Sequence, residues 1–198
     1  MATLLLGSQF TSAHSAPKTI LVLGDSLSAE YGLVRGTGWV ALLEQRLKEK
    51  KRDVSIINAS ISGETTSGGL ARLPDLLQKY QPTVVIVELG GNDGLRGLPL
   101  NATITNFNAI IDASKKNNAR VLLVGMRIPP NYGKSYADQF SAMYPALAKQ
   151  WQIALVPFFM EGLADKPDMF QADRIHLIGA AHPRVLENIW PHLSPLIK

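Results

Sequence analysis

Thr19-Ile20-Leu21-Val22-Leu23-Gly24-Asp25-Ser26-Leu27-Ser28 is an apolar run that ends in a small polar turn. A short stretch of β-branched and aliphatic residues bounded by glycine reads as a buried strand. In open α/β sheets, ligands bind just beyond the carboxyl ends of such strands, so Ser26 stands at an active-site address. Taken alone, Gly24-Asp25-Ser26 reads equally well as a turn capping the next helix, since Asp and Ser are good capping residues.

Other segments repeat the pattern. Val54-Ser55-Ile56-Ile57 leads into Asn58-Ala59-Ser60-Ile61-Ser62-Gly63-Glu64-Thr65, and Val84-Val85-Ile86-Val87-Glu88-Leu89 leads into Gly90-Gly91-Asn92-Asp93. Residues 120–126 and 153–156 supply a fourth and a fifth strand. Between them lie helical stripes: residues 39–47, then Leu70, Leu73 and Leu77, then Ile104, Phe107, Ile110 and Ile111. Residues 136–151 place Phe140, Tyr144, Leu147 and Trp151 on one helix face, and Pro145 within them is expected to kink that helix. Trp39, Trp151 and Trp190 are expected as core fillers. Strands alternating with helices predict a doubly wound α/β fold.

With 198 residues, 46% of them hydrophobic and 18% charged, the chain can bury one substantial core and is too short to expect two. Residues 18–198 read as a single domain. The absence of cysteine excludes disulfides, thiolate catalysis and Cys-based metal sites. A formal charge of +4 suits mild attraction to anionic surfaces or substrates, but no long Lys/Arg cluster with interleaved aromatics points to nucleic acid. The densest basic stretch, residues 48–53, reads as a solvated helix end. Residues 1–17 contain no Asp, Glu, Lys or Arg and run from Leu4-Leu5-Leu6 to small residues, with Ala13 and Ala16 at plausible cleavage points. They read as a secretory leader remnant or a flexible N-terminus, the former implying a periplasmic or secreted protein. No later stretch is long and apolar enough to span a bilayer.

A serine hydroxyl needs a neighbouring base, and the base needs an orienting group. Asp173 and His176, three residues apart in Asp173-Arg174-Ile175-His176, can lie on one face of a helix or tight turn. The carboxylate would then fix the imidazole tautomer and leave Nε2 for Ser26. By itself the pair also reads as a helix cap with an incidental histidine. The serine, glycine, asparagine and Asp/His blocks, in this order, resemble the SGNH (GDSL) hydrolase family. Residues 24–28, 58–63, 87–97 and 144–160 are similar to its bacterial periplasmic acyl-CoA thioesterase, lysophospholipase and arylesterase group, and the resemblance covers nearly all of residues 18–198.

The resemblance implies a three-layer flavodoxin-like fold with a central parallel five-stranded sheet. It also implies a serine esterase or thioesterase acting on aryl esters, acyl-CoA and lysophospholipid-type substrates through an acyl-enzyme on Ser26, without cofactor or metal. The oxyanion donors it implies are the backbone N–H groups of Ser26 and Gly63 and the side-chain amide of Asn92. Gly63 suits close backbone approach, and Asn92 offers a neutral donor. Asp25 and Asp93 are assigned to holding loops through backbone N–H groups. Leu95 and Leu98, on a rim hinged by Gly94 and Gly97, are expected to line an acyl groove with Ile128 and Tyr132. Arg174 stands where the family usually has glycine, Leu177 where proline is common, and Glu30 replaces a small residue at a peripheral position. If that glycine serves positive φ, Arg174 strains the loop. His14, His182 and His192 read as surface histidines and the protein as a monomer. Two further readings stay open, a carbohydrate O-acetylesterase of the same fold and a non-catalytic binding module. Against the latter, no Gly-rich phosphate loop follows the first strand.

Overall fold

In a computed structural model, which describes residues 18–198, the strands β1 (Lys18–Gly24), β2 (Val54–Asn58), β3 (Val84–Glu88), β4 (Arg120–Val124) and β5 (Ala154–Val156) form one parallel sheet in the order β2-β1-β3-β4-β5. The expectation of a leader falls on residues 1–17, outside the described residues. Central strands covered on both faces must be apolar throughout. Accordingly Ile20–Leu23 and Val84–Val87 are fully buried, whereas edge strand β2 has only half-buried and exposed residues.

Helices α1 (Trp39–Glu49) and α6 (His182–Leu193) pack together on one face of the sheet. On the other, α2 (Thr66–Tyr80) packs on α4 (Leu100–Lys116), and α4 on α5 (Lys134–Trp151), giving three layers. The chain leaves β1 in one direction to form β2, then crosses back to β3. The carboxyl ends of β1 and β3 therefore border the switch point where doubly wound sheets bind ligands. Ser26 follows β1, and Asn92, in the short helix α3 (Gly91–Leu95), follows β3.

Several local expectations are refined. β4 ends at Val124 because the Gly125 backbone turns to the following segment, donating to the Val156 carbonyl and accepting from Phe159 N, both at 2.8 Å. α5 starts at Lys134 and runs unbroken through Pro145. Trp39 is a core residue, but Trp151 and Trp190 are only half-buried, lying under Lys115 and under Arg46 and Lys50 respectively. His182 is not a surface histidine. It is 3% exposed, and its Nδ1 accepts from Trp39 N at 3.0 Å, capping α1, whose own preceding residue Gly38 has no side chain to do so. Burial holds its pKa below the ordinary value, which keeps that nitrogen an acceptor. Glu30 is likewise more than peripheral. Its carboxylate accepts from the backbone N–H groups of Gly36 and Gly38 and so staples the loop that enters α1.

Candidate active site

Ser26, His176 and Asp173 meet at the carboxyl edge of the sheet. His176 Nε2 lies 2.8 Å from Ser26 Oγ, and His176 Nδ1 lies 2.7 Å from Asp173 Oδ2. The pair sits in a tight turn rather than a helix, with Arg174 at φ 58°, in the left-handed region that glycine would occupy without strain. Asp173 Oδ1 accepts from the backbone N–H groups of Ile175 and His176, at 2.9 and 3.0 Å. Partial desolvation opposes ionisation of Asp173, but those two bonds and the imidazole outweigh it and bring the carboxyl down to about 2. The carboxylate is thus a fixed acceptor for the imidazole over the whole neutral range.

Two residues passed over in the sequence hold this turn. Gln171 donates from its side-chain amide to the Tyr31 and Leu177 carbonyls, at 2.9 and 3.0 Å, and its backbone N–H donates to the His176 carbonyl at 2.7 Å. The Tyr31 ring stacks on the imidazole with centroids 4.3 Å apart. Neither carries a sequence signal, because both act through contacts between the loop after β1 and the loop before α6.

The backbone N–H groups of Ser26 and Gly63 have no backbone hydrogen-bond partner among the described residues, and both residues line the catalytic cleft. Gly63 sits at φ 80°, and a Cβ there would meet nothing nearer than Arg96 Nη2 at 3.7 Å. Its glycine therefore answers to backbone conformation rather than to crowding within the protein. Arg96 Nη2 donates to the Gly63 carbonyl at 2.9 Å and ties this loop to the end of α3. Asn92 faces the same cleft, with Nδ2 donating to the Glu64 carbonyl at 3.0 Å and to Asp25 Oδ2 at 3.1 Å. Both amide hydrogens are engaged in the resting structure.

Beneath the nucleophile lies a buried acidic network. Asp25 Oδ1 accepts from Leu27 N at 3.0 Å. Glu88, fully buried at the end of β3, accepts from Ser28 Oγ at 2.5 Å, and Ser28 Oγ in turn accepts from Trp39 Nε1 at 3.1 Å. Burial, reinforced by the neighbouring Asp25 carboxyl, pushes Glu88 well above the usual carboxylate range despite those bonds, which favours the neutral acid. Burial also raises Asp25 to about 6, against the opposing pull of Leu27 N, His176 and Asn92. Asp93 accepts from Thr66 N at 2.9 Å and Thr66 Oγ1 at 2.5 Å, placing a carboxyl at the start of α2.

Ser26, His176, Asn92 and Gly63 line a cleft of about 260 Å³. It adjoins an apolar pocket of about 400 Å³ and shares Leu27, Gly91, Leu95 and Ile175 with it. Of the residues expected to line an acyl groove, Leu95 borders both cavities and Ile128 the apolar one. Leu98 and Tyr132 border neither and are 36% and 39% exposed, because the chain turns outward after α3, where the Leu98 carbonyl accepts from Tyr136 Oη. Nor is Gly94 a hinge. It is buried, and a Cβ on it would meet Phe140 at 2.7 Å and Ile128 at 2.8 Å, so it is a packing contact. The wall is completed by Met126, Phe158, Met160 and Phe170, which carry no separate signal in the sequence although Phe158-Phe159-Met160 begins two residues after the last strand. Among the described residues, no group of three His, Cys, Asp or Glu side chains is placed to hold a metal ion.

A strand-end serine bonded to an imidazole that is itself oriented by a carboxylate, with free N–H donors beside it, defines a serine hydrolase on a doubly wound α/β scaffold. Comparison with known proteins narrows the class. The GDSL-like lipase/acylhydrolase family model matches residues 22–184. Esterase TesA of Pseudomonas aeruginosa is 50% identical over 184 residues, covering 93% of this chain and 92% of that protein. Thioesterase 1/protease 1/lysophospholipase L1 of Escherichia coli K12 is 46% identical over 187 residues, 94% of this chain and 88% of that one. Among solved structures, the psychrotrophic esterase EstA from Pseudoalteromonas sp., inhibited by monoethylphosphonate, superposes with a TM-score of 0.86 at 42% identity, covering 90% of this chain and 97% of that one. The chain belongs to the GDSL-like lipase/acylhydrolase family and is an ester-hydrolysing serine enzyme.

Proposed function

We propose that Ser26 is the nucleophile, His176 the general base and acid, and Asp173 the group that orients and stabilises the imidazolium. Ser26 Oγ attacks the acyl carbonyl as its proton passes to His176 Nε2. The carbonyl oxygen takes up negative charge against the N–H groups of Ser26 and Gly63 and the Asn92 amide. His176 then returns the proton to the departing alkoxide, aryloxide or thiolate, leaving an acyl-enzyme. Water, deprotonated by His176, attacks that ester, and Ser26 recovers its proton as the free acid departs. The observation that carries this reading is the 2.8 Å and 2.7 Å pair of contacts on the two nitrogens of one imidazole.

The substrates proposed are aryl esters, acyl thioesters including acyl-CoA, and lysophospholipid-type esters. Their acyl chain is read as occupying the pocket walled by Leu27, Leu95, Met126, Ile128 and Phe158, whose apolar lining suits alkyl chains better than sugars. Among the described residues no helix is long and apolar enough to cross a membrane. A periplasmic or secreted monomer is the setting proposed. The test is hydrolysis of p-nitrophenyl esters from acetate to dodecanoate. Ser26→Ala is expected to lower kcat by about 10⁴ to 10⁶ while leaving the fold intact. Near-normal turnover by that variant would overturn the assignment.

A further inference from the structure

The apolar pocket beside the catalytic cleft is lined by two arginines that the hydrolytic steps do not use. Arg127, just beyond β4, and Arg174, in the turn between Asp173 and His176, both line it. No acidic residue does. Neither arginine forms an ion pair among the described residues. Asp173, adjacent in sequence to Arg174, is occupied by His176 and by the backbone of its own turn. Asp165 borders a neighbouring cleft with Arg174 but does not pair with it. Arg127 is kept at the wall by stacking on Phe158, its guanidinium carbon 4.3 Å from the ring centroid. Arg174 is presented from a backbone in the left-handed region, where a side chain is disfavoured and glycine would be strain-free.

Cations without counter-charges at the rim of an otherwise apolar cavity favour a ligand that brings its own anion, and the planar guanidinium fork matches a carboxylate or phosphate. Both arginines border the apolar pocket and neither borders the catalytic cleft, whereas Leu27, Leu95 and Ile175 border both. An anion reaching them from a carbonyl held at Ser26 must be carried on an apolar spacer. We infer that the pocket takes acyl groups bearing a carboxylate several methylenes from the scissile carbonyl, gripped by Arg127 and Arg174; this rests on the reading of that pocket as the acyl site.

The test compares p-nitrophenyl hydrogen suberate with its methyl-capped, uncharged counterpart. p-Nitrophenyl octanoate and acetate report on the acyl pocket itself. Octanoyl 4-hydroxybenzenesulfonate, whose charge sits on the leaving group, is the competing source of an anion. The full chain is expected to show a kcat/KM about tenfold higher for the charged suberate than for its capped form, equivalent to about 1.4 kcal/mol. That ratio should shrink as salt is added. Arg127→Gln and Arg174→Gln should each lower it, and the double variant should bring it to about one. A ratio of one in the unaltered protein, with octanoate still preferred over acetate, would sink this inference and leave the acyl pocket standing. No preference for octanoate would remove the pocket and the inference together. If the arginine variants lost the sulfonate ester rather than the suberate, the arginines would serve the leaving group and the inference would be wrong.

Discussion

Replacing Asn92 with alanine removes one amide that has two resting partners and, in the proposed mechanism, a third during reaction. Loss of a side-chain oxyanion donor lowers kcat by about 10² to 10³. Here both amide hydrogens already bond at 3.0 and 3.1 Å, so the transition state shares them, and a loss near the lower figure, about 10², is expected. KM should change by less than about threefold, because the donor acts where charge develops. Stability should fall too. Asp25, 2% exposed, loses a hydrogen bond to Oδ2, and an unpartnered buried acceptor costs about 1–3 kcal/mol. Since the amide is one of the groups holding Asp25 down at about 6, its removal sends that carboxyl higher and makes the neutral form the natural refuge. A folded-state pKa raised further above the unfolded value means more stability lost as pH rises, so the deficit should be larger at pH 8 than at pH 5. For a chain of this size each kcal/mol moves the melting temperature by about 2–4 °C. Steady-state rates with p-nitrophenyl butyrate and melts at both pH values test all of this. An unchanged kcat with a raised KM would recast Asn92 as a substrate-binding residue. An unchanged melting temperature at pH 8 would show that its bond to Asp25 contributes nothing.

Ile128→Ala, which opens the wall of the apolar pocket, should reduce kcat/KM for decanoyl esters more than for acetyl esters by a factor corresponding to about 1–3 kcal/mol, whereas Leu98→Ala should leave chain-length preference unchanged. Equal responses of the two variants to chain length would mean the acyl chain runs elsewhere. Glu88→Gln should fold, because burial already favours the neutral form of the side chain it replaces. Raised folded-state pKa values at Glu88 and Asp25 supply stability at low pH that is lost as pH climbs above the ordinary carboxylate range, through about 6 for Asp25, so the variant should show a shallower fall in urea midpoint between pH 5 and pH 9. Matching slopes for the two proteins would mean that Glu88 does not titrate with folding.

The strands were legible because a parallel sheet covered on both faces demands uninterrupted apolar runs, and residues 19–23 and 84–87 are such runs. The blocks around Ser26, Gly63 and Asn92 are legible as strand-end loops because each directly follows an apolar run, and ligands gather at strand ends. What escaped was decided by partners distant in sequence. His182 reads as a surface residue until α6 is laid against α1 and its imidazole meets Trp39 N. Glu88 looks like the polar end of a strand, yet Ser28 and Asp25 close over it from the loop after β1. Leu98 is apolar and follows the active-site helix, which suggested a groove, but the backbone after Gly97 turns outward and leaves it in solvent. Pattern gives the period and the strand end; it does not give which loop folds over which.

The central claim is that Ser26 forms a covalent bond to the acyl group while His176 moves its proton. Intact-mass and peptide mass spectrometry after treatment with a p-nitrophenyl alkylphosphonate tests it most directly, since that reagent's phosphorus takes the place of the attacked carbonyl. One adduct per chain is predicted, on the peptide containing Ser26, together with complete loss of esterase activity, no adduct in Ser26→Ala and much slower labelling in His176→Ala. Stoichiometric labelling of another residue, or full esterase activity in a protein whose Ser26 is phosphonylated, would contradict it.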